Sequence, residues 1–589
     1  MPRTTLALTS FVSGEFSAKM DGRTDFEKYA SGTKTLENFL VHPQGAATRR
    51  VGTQFIAEVK DSSKKTRLIP FEFSTTQTYI MEFGDQYIRF YKDKGQIVSG
   101  GSAYEISSPF LEAELFDIKF AQSADVMYLC HPNHDVRKLS RTGHTSWTLA
   151  TVSFSGSPSL SISGSDNRPS CVSFFEQRLV FANTNNNPQT LWFSKAGDYE
   201  NFTTGSNADD AMIYTIASNQ VNAIQYLKAV RTLVVGTSGG EFTVSADGTD
   251  ASITPTNVTI KRQSSFGSAG VDAIPAGNAI LFLQKAKRKI RELAYNFDSD
   301  GYVAPDLTIL NDTVTKSGIV QMIFQQEPDS IIWCVRDDGE LAGLTYQRSE
   351  NVVSWHRHIF GGVFGSGNSV CESAASISGV LTEDELWVIV KRTINGATKR
   401  YVECFSDFDF DETDATDFKF LDSHLNYSGS ATTTLSGLSH LEGQSVSILA
   451  DGSVHANKTV SSGAVTLDRS VTKACVGLAY DSVLQTMRIE GGAAEGTSQG
   501  KTKRISKVVL RLFETVGVKV GPSLSDLETV PFRTTSSNLS APVDTLLAGD
   551  KEIEFRDDYN SDGFIFIKQD QPLPCSILAI YPTLVTSDG

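Results

Sequence analysis

Side chains able to do chemistry gather in a few short clusters. Gly496-Thr-Ser-Gln-Gly500-Lys501-Thr502 combines the glycines, lysine and hydroxyl that cradle nucleotide phosphates. Its first glycine comes one residue late, because Glu495 holds the required place. Ile505 to Leu512 also reads as a strand where a phosphate loop needs a helix, so nucleotide binding is not expected. Cys130-His131-Pro-Asn-His134 has metal-ligand types at close spacing, but it falls in a hairpin turn with no further ligand nearby. His356 and His358 share one strand face, yet two imidazoles alone make no site. Asp407, Asp409 and Asp411 resemble the start of a calcium loop. Glu412 replaces the glycine of the sharp turn and no distal Glu is placed correctly, which favours a solvated acidic loop. Lys285, Lys287, Arg288, Lys289 and Arg291 put five cations into one hairpin. They are candidates for contact with a phosphate or an acidic partner, against the default of a solvated turn.

The motifs of common enzymes are missing. There is no Gly-x-Ser-x-Gly elbow, His-Glu-x-x-His helix or Gly-x-Gly-x-x-Gly strand turn. The Ser-x-Asp-x-Gly-x-x-Trp turns of sialidase-type propellers are missing too. No enzymatic activity, cofactor or metal is expected.

The elements that position these clusters emerge from a repeat. Between residues 115 and 405 six apolar runs recur: Asp125–Cys130, Arg178–Ala182, Thr232–Gly236, Ala279–Leu283, Ile331–Val335 and Leu386–Val390. Their starts are 53, 54, 47, 52 and 55 residues apart. Each has a strand-like segment before it and another about ten residues after, joined by turn formers such as Asp337-Asp338-Gly339. Three to four antiparallel strands per unit of roughly 50 residues is the pattern of a propeller blade. The expected fold is all-β: a six-bladed β-propeller over 110–407 that holds all five tryptophans. A β-sandwich of loosely similar strands is the competing architecture.

The flanks are β-rich. Residues 1–109 are expected to form an N-terminal platform, with a short helix from Thr24 to near Leu40. Four strands follow, over Phe55–Val59, Arg67–Phe73, Tyr79–Phe83 and Tyr87–Tyr91. Residues 408–500 are expected to form a further β-rich domain, and 501–589 a C-terminal β region that could pack back on the platform.

Composition bounds the function. The 589 residues exceed what one core organises, and 40% hydrophobic with 21% charged residues indicates a folded globular chain. The formal charge of −15 argues against tight binding of DNA or an anionic membrane. Seven scattered cysteines without a Cys-x-x-Cys pair read as reduced and mostly buried. No secretory leader and no apolar run long enough for a membrane span is seen, so the protein is expected to be made in the cytoplasm.

The first hundred residues carry a resemblance: Phe11-Val-Ser-Gly-Glu15, Asp21-Gly-Arg-Thr-Asp25, Tyr29, Thr35-Leu-Glu-Asn38, Gly45-Ala-Ala-Thr-Arg49-Arg50-Val-Gly-Thr53 and Leu68-Ile-Pro-Phe-Glu-Phe73. Similar flow continues at Gln122–Tyr128, Arg137–Leu139, Thr142–Trp147 and Ser436–Gln444. The chain resembles the tail tubular protein B, or nozzle, family of short-tailed bacteriophages, departing at Val51 where the family usually has proline. The resemblance implies a structural component of the virion tail: a homohexameric tube below a dodecameric adaptor, bearing tail fibres or spikes. Genomic DNA would pass through its lumen without specific binding, a distal gate would close it, and residues 408–500 would be the fibre-dock or tip domain. Six copies at −15 would carry 90 formal negative charges, which suits a conduit that repels phosphate. The residues proposed for interaction are Arg49, Arg50, Lys285, Lys287, Arg288, Lys289, Asp409, Asp411 and Glu412. The alternative function is a tail-associated propeller that binds glycans or depolymerises polysaccharide.

Overall fold

A computed structural model describes residues 3–156, 166–217, 220–248, 251–298, 300–379, 383–407, 415–491, 497–532 and 546–587. The protein is all-β, and its only helical pieces among the described residues are 3-10 turns of three to six residues. The helix expected from Thr24 to Leu40 is not formed. A 3-10 turn at Glu27–Ser31 gives way to strands Gly32–Glu37 and Phe39–Val41. Gly32 is packed so tightly that an added Cβ would sit 2.1 Å from the Phe16 ring, and sheet pairing overrides the weak helical start.

Seven antiparallel sheets form a closed ring. Their innermost strands are Arg67–Ser74, Lys119–Ser123, Cys171–Phe175, Ile224–Ala229, Ile274–Ala276, Ile319–Gln325 and Val370–Ser378. Seven buried clusters each join one sheet to the next. Ile69, Phe71 and Met81 meet Met127, Leu129 and Trp147 between blades one and two. Further clusters link blades two and three, three and four, four and five, five and six, and six and seven. Trp387, Ala375 and Ile389 of blade seven then close on Leu68, Ile80 and Tyr91 of blade one.

This ring explains the apolar runs, which form the second strand of blades two to seven. In blade three Leu179 and Phe181 face blade two, while Val180 and Ala182 face blade four. Both faces of the strand are covered, so alternation disappears.

The structure corrects the six-blade expectation and the platform boundary at 109. The strands at 67–92 are blade one, and Thr53–Glu58 is the outer strand of blade seven, antiparallel to Ala397–Phe405. The propeller therefore spans 53–405, and pairing of its first strand with its last blade fastens the ring.

Residues before 53 join the carboxyl-terminal region in a β-sandwich. One sheet contains Arg3–Thr5, Phe39–Val41, Ala47–Arg49, Thr502–Thr515, Leu547–Glu554 and Ser576–Ser587. The other contains Gly32–Glu37, Ser482–Thr486, Phe566–Gln569, Lys519–Ser523 and Asp526–Thr529, and it continues across Gly14–Glu15 into blade six. Phe39, Leu484, Val508, Leu510, Ile567 and Ile580 lie in its core. The segment expected as one domain over 408–500 is divided. Strands between Asp422 and Leu478 form an arm with its own core of Leu441, Val446, Ile448 and Val476, whereas Ser482–Thr486 belongs to the sandwich.

Candidate functional site

Buried charge gathers at the joint between the units and at the propeller axis, among other places. At the joint, Arg50 forms a two-pronged pair with Asp422, Nη1 to Oδ1 at 2.8 Å and Nη2 to Oδ2 at 2.7 Å, both side chains fully buried. Its Nε donates to Asn38 Oδ1 at 2.8 Å, Nη2 donates to the Ile359 carbonyl at 3.1 Å, and the guanidinium lies 3.8 Å from the Tyr480 ring centre. Asp422 also accepts from the Gly361 amide at 2.7 Å. Burial works to raise its pKa, but Arg50 and these hydrogen bonds outweigh it and hold the carboxyl below its ordinary range.

Arg49 donates to the carbonyls of Leu573 and Tyr480, each at 2.9 Å, and also to that of Gln571. Thr53 donates to Glu403 Oε2 at 2.6 Å, and Glu403 pairs with the fully buried Arg392. A Cβ on Gly52 would stand 1.9 Å from the Leu421 carbonyl oxygen, so only glycine fits there. Arg49 and Arg50 thus tie sandwich, propeller and arm together from the interior. This corrects the expectation that they contact another molecule, because neither has a surface to offer.

Other stretches of the resemblance serve the same joint. Glu15 accepts from Arg357 Nε at 2.7 Å and from the Leu36 amide at 2.8 Å. Gly14 has φ +64°, and a Cβ there would lie 2.4 Å from the Trp355 backbone. Tyr29 donates to the carbonyls of Asp21 at 3.1 Å and Arg488 at 3.2 Å.

The histidines have local explanations. Thr345 donates to the Val41 carbonyl at 2.8 Å, so its oxygen accepts from His356 Nε2 at 3.2 Å. His356 Nδ1 then accepts from His358 Nε2 at 2.6 Å, a one-way chain between two neutral, fully buried rings. Burial pushes His356 down to about 3 and His358 well below its ordinary value.

His131 and His134 gain a third neighbour that sequence reasoning missed, Glu114, with candidate ligand atoms within 4.8 Å of one another. Glu114 is already engaged. Oε2 accepts from the Leu111 amide at 2.9 Å and from His134 Nε2 at 2.7 Å, and Oε1 accepts from Asn133 Nδ2 at 3.0 Å. Against the cost of burial, these bonds lower its pKa to about 2. His131 Nδ1 accepts from the Asn133 amide at 3.1 Å, which leaves its proton on Nε2. The group locks the turn and the adjoining 3-10 segment together.

In the cationic hairpin of blade five, Lys289 pairs with Asp306 at 2.9 Å, Arg288 Nε donates to the Lys316 carbonyl at 2.7 Å, and Arg291 lies 3.5 Å from the Phe266 ring centre. Lys285 and Lys287 point into solvent. Asp409, Asp411 and Glu412 lie outside the described residues, as does Gly496, while Asp407 pairs with Lys94. All seven cysteines are free and buried, and burial pushes the thiols of Cys171, Cys475 and Cys575 up to about 12.

The propeller axis holds a cavity of about 280 Å³ lined from blades one, two, four, five, six and seven. Its walls are largely apolar, with Ile274, Met322 and Ala375 among them, but four charged residues face it: Arg67, Lys119, Lys228 and Asp272. Lys119 Nζ pairs with Asp272 Oδ1 at 2.8 Å and donates to the Gly270 carbonyl at 2.6 Å. Arg67 Nη1 donates to the carbonyls of Leu115 and Ile118, each at 2.8 Å. The sequence gives no local signal for this site, because its members are far apart in the chain and converge only when the ring closes.

No protein-family model and no curated protein sequence matches the chain. Among solved structures, the RRP9 WD40 repeats align with TM-score 0.38 at 8% identity, over 61% of this chain and all of that one. The Myceliophteria thermophila Cps50 (Swd1) β-propeller domain aligns with TM-score 0.37 at 8% identity, over 60% of this chain and all of that one. The Neurospora crassa Pan2 WD40 domain gives 0.35 at 8%, over 61% and 96%. The ring is established here by the chain's own seven clusters.

Proposed function

We propose that the protein is the subunit of a homohexameric tail nozzle of a short-tailed bacteriophage, seated below a dodecameric adaptor and forming the conduit and gate for genome ejection. The observation that supports this reading most is where the resemblance falls. The stretches Phe11–Glu15, Thr35–Asn38 and Gly45–Thr53 supply the buried joint of sandwich, propeller and arm. A ring subunit that carries load needs fixed angles between its units, and a buried two-pronged ion pair with glycine-only contacts gives them. The charge of −15 suits a wall past which DNA slides. Gold-labelled antibody against the chain should decorate the tails of purified virions. Virions that lack the chain altogether would refute the reading.

The alternative of a glycan-binding propeller draws on Tyr295 and Phe297, exposed by 50% and 87% on the outer part of blade five. Exposed rings of this kind are able to stack on sugar faces. Retention on host surface polysaccharide, lost in Tyr295→Ala with Phe297→Ala, would favour it. Release of oligosaccharide would favour a depolymerase.

A further inference from the structure

We propose that the axial cavity of the propeller is a binding site for a small phosphate-bearing anion. Three cations, Arg67, Lys119 and Lys228, face it from blades one, two and four against one carboxylate, Asp272. Asp272 is taken up by Lys119 at 2.8 Å, so two positive charges remain uncompensated in a cavity of about 280 Å³. The Lys228 ammonium has no ion pair and no side-chain hydrogen bond among the described residues. Arg67 is 6% exposed, and its Nε is buried without a hydrogen-bond partner although Nη1 is anchored on two carbonyls.

A buried guanidinium donor left unpaired, and an ammonium held in a confined space without a counter-charge, both cost stability that an entering anion would restore. Burial already lowers the Lys228 pKa despite the pull of Asp272, as expected for an ammonium in want of a partner. Phosphate matches this set better than a monocarboxylate. A phosphate ester carries about −1.5 to −2 at neutral pH, and its oxygens can accept from Arg67 and Lys228 together. Asp117 also acts on Arg67, but it is exposed to solvent and does not line the cavity. The site lies within one chain, so the inference does not depend on the nozzle reading.

Isothermal titration of the full chain with inorganic phosphate and with pyrophosphate, in chloride buffer of matched ionic strength, tests this. One saturable site per chain is expected, about tenfold weaker in Lys228→Met, the loss expected for one charge-assisted contact. Lys228→Arg should retain binding. Absence of saturable binding in the parent would overturn the proposal, and that result needs no variant to fold. Parental affinity in a Lys228→Met protein with an intact thermal transition would overturn it equally. Acetate binding as tightly as phosphate would overturn the assignment to phosphate chemistry.

Discussion

At the residue scale the joint gives a sharp expectation. Asp422→Ala leaves Arg50 charged, buried and unpaired, and should cost about 3–5 kcal/mol of stability in chemical denaturation. Arg50→Met combined with Asp422→Leu should recover much of that loss, because the penalty lies in the orphaned charge. Recovery would fail if the pair were needed for its geometry alone. His424 gives a second test. Burial pushes its pKa from 6.5 to about 4, so the folded chain holds it neutral where the unfolded chain protonates it. Its contribution to stability is whole above pH 6.5 and drains as pH falls toward 4, by about 1.4 kcal/mol per pH unit. Buried carboxylates with raised pKa, such as Glu241, act in the opposite sense, so the variant is compared with its parent. Between pH 6 and 4.5 the slope of unfolding free energy should be shallower in His424→Gln by about that amount. An unchanged slope would show that His424 is already charged in the fold.

At the scale of elements, the arm is anchored on the propeller: Leu449 and Cys475 lie in the buried cluster that joins blades six and seven, Tyr401 donates to the His440 carbonyl at 2.6 Å, and the His440 ring stacks on Phe55. Leu425 and Val476 are cross-strand partners, and the arm beyond them has its own core. Joining residue 425 to residue 476 by a short Gly-Ser turn keeps Asp422 on Arg50 but strips Leu449 and Cys475 from that cluster, and should lower the midpoint of thermal unfolding by more than the few degrees that about 1 kcal/mol costs. An unchanged midpoint would show that the arm adds nothing to the propeller's core.

Elements also show what was legible in the sequence. The second strands of blades two to seven stood out because both faces are apolar. Their counterpart in blade one, Gln77–Gly84, was hidden by Glu82, a buried carboxylate that accepts from Tyr91 at 2.6 Å and also from Tyr87. No local pattern could reveal that Thr53–Glu58 pairs with a strand almost 350 residues later, or that Arg50 meets Asp422. For the same reason Arg49 and Arg50 read as surface cations, and the axial cavity left no trace. The turn at His131–His134 and the strand nature of Ile505–Leu512 were legible because they rest on local chemistry.

At the scale of the whole molecule, a seven-bladed ring welded to a sandwich built from both chain ends makes a stiff block, as a closed symmetric assembly requires. The acidic balance predicts how that block treats DNA. Duplex DNA should not be retained in a gel-shift titration at physiological salt, since few phosphates can be neutralised by a chain of −15. Micromolar retention that weakens steeply with salt would contradict it. The central claim, that this chain is one of six around a conduit, is tested most directly by native mass spectrometry of the purified chain together with its adaptor. The account predicts a ring of six chains of 64.1 kDa each on the adaptor, about 385 kDa of this protein. A chain that stays monomeric in the presence of adaptor would contradict it.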